Sequence, residues 1–207
     1  QLTAEIKGLD LPMHEPRANF PLGLQYATSN RGACHLRGFG NDIYSGFTGF
    51  NKLLNIHEGV PIKLRTIDDP KFASDIAISQ NLSEINNSLG ICRQTISSGT
   101  QIVENLFDLL IKTIYNLTGI SLTLSELIEI GERIFNLKRL FNVQCGITKK
   151  DDRIPIKLRT PLSNGRARNK VLNIDLMLKE YYKFRGWDET GKPTKEKLKS
   201  LKIEEYI

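Results

Sequence analysis

The chain has 207 residues, of which 40% are hydrophobic, and its formal net charge is +6. This length suits one domain with a sizeable core or two small helical lobes, and no apolar run approaches the roughly 20 residues of a membrane span. The basic residues lack the aromatic interleaving and the zinc-finger spacing that nucleic-acid recognition uses. Neither a membrane nor a nucleic acid is therefore expected as a partner.

The beginning of the chain is predicted to be extended, because residues 1–23 contain three prolines and several turn-forming residues. Within it, Glu5 and Lys7 are expected to form an exposed strand pair. Residues 39–69 are rich in Gly, Asn and Asp and are predicted to form loops.

The stretch LQYATSNRGACHLRG at 24–38 joins an apolar segment to a polar one. Thr28, Ser29 and Asn30 are residue types that cap helices by accepting backbone N–H bonds. They predict a helix N-terminus near Asn30, whose free N–H groups and positive dipole end would face an anion.

The same stretch concentrates side chains that suit an anionic ligand. Arg31 and Arg37 carry guanidinium forks that match phosphate or carboxylate oxygens, and Gly32 lets the backbone approach a ligand closely. His35 carries an imidazole whose pKa lies near neutrality. On these residues alone, an ordinary turn with a structural histidine is the favoured interpretation.

Three helices are predicted in the middle of the chain. Asp69 and Pro70 indicate the start of the first, which runs to about Asn86 and ends with Gly90 as its C-cap. Apolar residues recur at spacings of three and four through 99–142, which predicts a pair of packed helices.

Local features separate that pair of helices. Gly119 lies between them, and Thr123 with Glu126 forms a capping box for the second. Beyond them, residues 146–172 alternate turn formers and basic residues and are predicted to form an extended surface loop.

Two more helices are predicted near the C-terminus. Asp175 is expected to cap an amphipathic helix, Trp187 to serve as a packing anchor near its end, and Thr194 to begin a short terminal helix. The predicted fold class is therefore mainly α.

Three cysteines, Cys34, Cys92 and Cys145, are far apart and odd in number, so no disulfide framework is expected. A reducing compartment fits this usage, and the expected localisation is cytoplasmic. Because the first residue is Gln rather than Met, we expect a processed, trimmed or fragmentary chain.

Five runs of sequence together resemble the tungsten-containing aldehyde ferredoxin oxidoreductase family. They are EIKGLDLPMHEPRA at 5–18, YATSNRGACHLRG at 26–38, NSLGIC at 87–92, LFNVQCGITKKDD at 140–152 and DLMLKEYYKFRGWDETGKPTKEKLKSL at 175–201. The resemblance covers the C-terminal part of such an enzyme. It implies an irregular helical bundle equivalent to the two C-terminal helical domains, with a lobe at 1–98 facing the cofactors and a helical lobe at 99–207.

The resemblance also implies a reaction. Enzymes of this family oxidise an aldehyde to a carboxylic acid, and two electrons pass from a tungsten (or molybdenum) bis-pterin through a [4Fe–4S] cluster to ferredoxin. In the matching positions, Arg31, Gly32 and Arg37 would hold the pterin, and His35 would move protons near the metal.

The run at 87–92 corresponds to a family pattern of Asp, two free positions, Gly, Leu and Cys. Asn87 stands where the family has the acid that hydrogen-bonds the pterin, Ile91 preserves an apolar wall, and Cys92 would be the fourth thiolate ligand of the cluster. Without the resemblance, Cys92 would be interpreted as a small buried apolar residue.

A cubane cluster takes four thiolates, and the family's other three come from a motif upstream of the matched region. The chain would therefore supply one ligand of four and need a separate N-terminal half or a homologous subunit. The alternative is an inactive remnant or a structural helical subunit that needs such a chain.

Overall fold

The computed structural model describes residues 3–45, 69, 71–97 and 102–206. Most of the loops predicted at 39–69 lie outside these residues. The predicted mainly helical class is confirmed, since the described chain forms eight α-helices, three single 3-10 turns and one short hairpin. None of the described helices combines the length and the apolar character needed to cross a membrane.

The chain begins with a hairpin of β1 (Glu5–Ile6) and β2 (Leu9–Asp10), which pair antiparallel with Glu5 opposite Asp10. Its turn places Lys7 at φ 51°. The expectation that Lys7 is exposed is wrong: its side chain is 4% exposed and its Nζ lies 2.7 Å from Asp152 Oδ1. Strand alternation would place Lys7 in solvent. It is buried instead because its charge is paired with Asp152, which is distant in sequence.

Helix α1 (Phe20–Thr28) is buried along its whole length. It begins at Asn19, whose side chain accepts a hydrogen bond from Leu22 N at 3.1 Å, with Pro21 in the first turn. The predicted extended segment is therefore wrong for its last residues. The helix start predicted near Asn30 is also wrong, because Thr28 ends α1 and its hydroxyl bonds back to Leu24 O at 2.8 Å. A threonine hydroxyl can accept from a backbone N–H at a helix start or donate to a carbonyl oxygen within the helix. Here it donates in the last turn.

Helices α2 (Gly40–Ser45) and α3 (Phe72–Leu89) follow, and then α4 (Gln94–Ser97). Helix α3 is buried from Phe72 through Asn86, which explains its weak amphipathic stripe: it has no solvent face over most of its length. The prediction of Gly90 as the C-cap is confirmed by its left-handed φ of 69°.

Helices α5 (Ile102–Thr118) and α6 (Leu124–Gln144) form the predicted pair. The capping box is confirmed, because Thr123 Oγ1 accepts from Glu126 N at 3.2 Å while Glu126 Oε2 accepts from Thr123 N at 2.7 Å. The segment after α6 contains two 3-10 turns, Lys149–Asp151 and Ile156–Leu158.

Helix α7 (Ile174–Arg185) begins at Asn173, whose side chain accepts from Leu176 N at 3.3 Å. Asp175 is thus in the first turn and is not the cap that the sequence predicted. Thr194 does cap α8 (Lys195–Ser200), as predicted, and a last 3-10 turn follows at Glu204–Tyr206.

Helix α3 is the centre of the fold, since it packs against α6, α7, α1 and α2. Trp187 anchors the core as predicted: it is 5% exposed, and its Nε1 donates to Asn136 Oδ1 at 2.8 Å. The division into lobes at 98 and 99 stays a prediction.

Gln80 of α3 joins three helices inside this core. Its Nε2 donates to Thr28 Oγ1 of α1 at 3.0 Å, and its Oε1 accepts from Tyr181 OH at 2.5 Å and from Arg185 Nη2 at 3.0 Å, both of α7. The end of α1 is thereby fixed to the interior of the molecule.

Candidate functional site

The polar loop between α1 and α2, residues 30–38, is a series of turns and bends held against the N-terminal hairpin. Gly32 has φ 100°, and a Cβ at this position would lie 2.5 Å from Ile6 O. Its N–H donates to Ser29 O at 3.2 Å. The glycine therefore permits a close approach between loop and hairpin, where the sequence had pointed to an approach between backbone and ligand.

Arg31 and Arg37 line one cleft of about 240 Å³. It is completed by Ser29, Asn30, Glu84, Phe135, Lys138, Phe141 and Asn142. Lys138 pairs with Glu84, whose side chain is 5% exposed, so one lysine charge is balanced inside the cleft. The two guanidinium groups remain as excess positive charge, which suits an anionic ligand.

Asn30 ties the loop to α6 at the edge of this cleft. Its Nδ2 donates to Phe135 O at 3.0 Å, and its backbone oxygen accepts from Asn142 Nδ2 at 2.8 Å. Its Oδ1 is buried and has no hydrogen-bond partner. A buried acceptor without a donor is uncommon in folded proteins, and it marks a place where a ligand donor fits.

His35 is partly buried in the same loop, and its Nδ1 is buried without a hydrogen-bond partner. The His14 ring lies 5.0 Å from it between centroids. Burial lowers the pKa of His35 below its ordinary value, and the nearby His14 and Arg93 lower it further. The neutral imidazole is therefore the main form at pH 7, as a proton acceptor requires.

The last turn of α3 and the turn that follows it carry the other three predicted site residues. Asn87 and Cys92 are exposed, and Ile91 is partly buried. Ile91 and Leu89 line an apolar groove of about 470 Å³ between α3, α5 and α6, separate from the cleft of the two arginines. Asn87 and Ile91 are thus not among the residues that line the arginine cleft.

Arg93 connects this turn to the histidine loop. It forms an ion pair with Asp42, its Nε donates to Gly38 O at 3.4 Å, and its guanidinium lies 4.9 Å from the Phe39 ring centroid. The residue after Cys92 thus reaches the segment that follows His35. Sequence reasoning missed Arg93, because a lone arginine after a helix gives no signal of a buried partner.

Two serines of α3 hold the histidine loop on the helix. Ser79 Oγ accepts from Phe39 N at 3.3 Å, and Ser83 Oγ donates to Leu36 O at 3.4 Å. The arginine-bearing loop and the cysteine-bearing turn therefore rest on the same helix. Nothing in the spacing of these serines predicted the contacts.

No cluster of three or more His, Cys, Asp or Glu side chains within the described ranges is arranged to hold a metal ion. Cys92 is exposed and carries a free thiol, so it fits the role of one ligand to a group that is mostly held by another polypeptide. The unpartnered acceptor of Asn30 and the excess positive charge likewise fit a polar, anionic cofactor.

Comparison with known proteins identifies the family. The model of the family described as "Aldehyde ferredoxin oxidoreductase, domains 2 & 3" matches residues 1–203. The chain therefore belongs to the aldehyde ferredoxin oxidoreductase family, and the match lies in its second and third domains, as the resemblance implied.

Curated relatives agree with this assignment. The chain is 32% identical over 209 residues to the tungsten-containing aldehyde ferredoxin oxidoreductase of Pyrococcus furiosus, with 100% of this chain and 32% of that protein covered. It is 30% identical over 210 residues to the enzyme of the same name from Thermococcus kodakarensis, again covering 100% and 32%. The chain thus spans about a third of the length of these relatives.

Two further likenesses are more distant. An aliphatic sulfonate oxidoreductase, WOR-like subunit, from Pyrococcus furiosus is 36% identical over 98 residues, which are 43% of this chain and 16% of that protein. The solved active-site complex BamBC of benzoyl coenzyme A reductase superposes with a TM-score of 0.53 at 23% identity, covering 69% of this chain and 21% of that one. The latter supports the fold alone.

Proposed function

We propose that this chain is the C-terminal portion of an oxidoreductase that converts aldehydes to carboxylic acids with a tungsten (or molybdenum) bis-pterin and a [4Fe–4S] cluster, and with ferredoxin as electron acceptor. The observation that carries the proposal is the cleft shared by Arg31 and Arg37, on a loop that rests on the same helix as the Cys92 turn. Family membership supports it.

Each residue has a task that follows from its surroundings. Arg31 and Arg37 bind the phosphate oxygens of the pterin, because bidentate guanidinium groups match them in geometry and charge. Cys92 is accessible, so its thiolate is free to ligate the cluster. Gly32 would hold the arginine-bearing loop close to the hairpin, and Asn87 and Ile91 would contact the cofactors from the side of the Cys92 turn.

His35 moves the proton. Hydration and oxidation of an aldehyde release two protons and two electrons, and when bound, the metal–pterin group supplies the two-electron redox chemistry. Because His35 Nδ1 is buried, Nε2 is the nitrogen available to accept a proton from water at the carbonyl carbon. The lowered pKa of His35 keeps Nε2 free to do so at neutral pH.

The test is metal analysis of protein purified without oxygen, alone and after assembly with a polypeptide that carries the first domain of the family. We expect tungsten or molybdenum and iron in the assembly and none in the chain alone. Replacing Arg31 and Arg37 together by Gln should lower the tungsten or molybdenum content. Arg168→Gln, at an exposed arginine outside the cleft, should not. An assembly that holds no metal contradicts the proposal.

A second candidate is a structural helical subunit without redox activity. Asn87 favours it, because an exposed amide stands where the family pattern has a carboxylate. In that case the assembly forms, but it retains no tungsten, molybdenum or iron. The same measurement therefore separates the two functions.

A further inference from the structure

Two of the three histidines of the chain lie side by side in the fold. The rings of His14 and His35 are 5.0 Å apart between centroids and are inclined by 59° to each other. The third, His57, lies outside the described residues. At this separation a direct hydrogen bond or one bridging water can connect the ring nitrogens of the pair. The two rings are therefore close enough for a proton to pass between them.

His35 lacks the bond that usually fixes the proton of a working histidine. Such a histidine commonly donates from Nδ1 to a backbone carbonyl or a carboxylate, but the buried Nδ1 of His35 has no hydrogen-bond partner among the described residues. The ring that contacts it belongs to His14, and an imidazole both donates and accepts protons. His35 is thus placed to exchange protons with a second imidazole.

Helix α1 fixes the spacing of the two histidines. Gln25 Nε2 donates to the backbone oxygen of Cys34, next to His35, at 2.9 Å. Tyr26 OH donates to the backbone oxygen of His14 at 3.4 Å. Gln25 and Tyr26 are consecutive, and both are 0% exposed. The approach of the two rings is therefore set by the buried helix that holds both segments of chain.

His14 differs from His35 in its access to water. His14 is exposed, whereas His35 is half-buried. His14 lines a cleft of about 450 Å³, which we call the His14 cleft, and His35 does not. An exposed side chain changes rotamer within nanoseconds, so His14 can meet His35 and the solvent in turn. The polar residues that line the His14 cleft with it include Glu15, Asn41, Tyr44, Arg166 and Lys170.

The charged groups near the pair favour movement of a proton from His35 towards water. Burial, the neighbouring His14 and Arg93 all lower the pKa of His35, so its imidazolium gives up a proton readily. In the His14 cleft, Glu15 is paired with Arg17 at 2.8 Å. This pairing holds the pKa of Glu15 below its ordinary value, so the carboxylate does not trap the proton.

We propose that His14 is a positioning residue that acts through His35 and relays its proton to water. In the proposed function, on which this inference rests, His35 takes a proton from water and becomes an imidazolium. One N–H bond of the imidazolium then breaks as an N–H bond forms on His14, and His14 gives the proton to water in the His14 cleft. Both rings end neutral, and no electrons move in this step.

The first test is the rate of proton exchange at His35, measured by NMR on the full chain in dilute buffer. The line width of the imidazole Cε1–H at the midpoint of its own titration reports this rate. His14→Phe keeps an aromatic ring against His35 but has no ring nitrogen, so we expect exchange to slow about tenfold or more. Tyr44→Phe, which removes a hydroxyl from the same cleft, is the matched control and should leave the rate unchanged. Equal rates in the wild type and in His14→Phe overturn the inference.

The second test is rescue by a small proton carrier. His14→Ala leaves room for a free imidazole beside His35, whereas the ring of His14→Phe still fills that place. Added imidazole should therefore restore the exchange rate in His14→Ala and not in His14→Phe. Because the His14 side chain is exposed, both variants should unfold at the wild-type temperature. Equal rescue of the two variants, or rescue of neither, contradicts the relay.

The third test uses the assembly with the first domain of the family. His14→Ala should lower kcat for an aldehyde in dilute buffer without changing KM, and imidazole should restore it. If the assembly holds metal and exchange at His35 does not depend on His14, the inference fails while the proposed function stands. If exchange depends on His14 but the assembly holds no metal, the proposed function fails while proton transfer between the two rings stands.

Discussion

Lys7 of the N-terminal hairpin and Asp152 of the segment after α6 form a buried ion pair, with Nζ and Oδ1 2.7 Å apart and side chains that are 4% and 0% exposed. Arg139 completes the group by donating to both carboxylate oxygens at 2.9 and 2.7 Å. Tyr182 OH donates to Oδ2 at 2.5 Å. One carboxylate thereby joins the hairpin, α6 and α7.

Asp152→Asn should destabilise the protein strongly. It leaves Lys7 and Arg139 buried without a counter-charge, and breaking a buried pair in this way costs about 3–5 kcal/mol. Urea unfolding measures the loss. The matched control is Glu129→Gln, which breaks the exposed pair of Glu129 with Arg133 and should cost at most about 0.5 kcal/mol. Equal losses of unfolding free energy in the two variants would show that the buried ion pair stabilises the protein no more than the exposed one.

The same carboxylate should make the protein sensitive to acid. Burial favours the neutral form, but the charges of Lys7 and Arg139 outweigh it and hold the pKa of Asp152 below its ordinary value. The unfolded chain then binds the proton more tightly, so this contribution is complete above about pH 4 and is lost as the pH falls through the lowered pKa. Unfolding free energies measured down to about pH 3 should fall more steeply for the wild type than for Asp152→Asn.

His35 should titrate below the ordinary histidine range of about 6.5. Burial is the main cause, with His14 and Arg93 adding positive charge nearby. His14→Gln and Arg93→Gln should each raise the pKa of His35 towards that range without reaching it, because burial remains. An NMR titration of the imidazole Cε1–H measures this, with Arg168→Gln as the control. A His35 pKa that is the same in all variants contradicts the assigned surroundings.

Gly32→Ala should destabilise the loop that carries Arg31 and Arg37. The new Cβ would lie 2.5 Å from Ile6 O, and φ of 100° is already unfavourable for alanine. Gly119→Ala is the control, since it has φ 73° with nothing within 4 Å of a Cβ. Both variants lose about 1–3 kcal/mol to backbone strain, and Gly32→Ala should lose more through the clash. Thermal unfolding of the two variants compares them directly.

The helices that sequence predicted best are those with local signals. The capping box of Thr123 and Glu126 and the left-handed Gly90 lie within a few residues of the ends they define, so no tertiary information is needed. Helix α1 was missed because Pro12, Pro16 and Pro21 together resembled an extended segment. Pro21 in fact follows the Asn19 cap, where its missing N–H costs nothing.

The sequence predicted the positively charged residues of the candidate site but not the contacts that hold them in place. Arg31 and Arg37 stood out because guanidinium groups flank a glycine and a histidine within a few positions. Arg93 gave no such signal. Its significance comes from its ion pair with Asp42, which is distant in sequence.

Gln80 connects the loop at 30–38 to the interior of the molecule, because it donates a hydrogen bond to Thr28, two residues before Asn30. Gln80 also accepts hydrogen bonds from Tyr181 and Arg185, which are about 100 residues further along the chain, in α7. A directed-evolution library confined to this loop would thus leave unchanged the interior residues that fix its position. Compensating changes should arise among these interior partners, at positions that never meet a ligand.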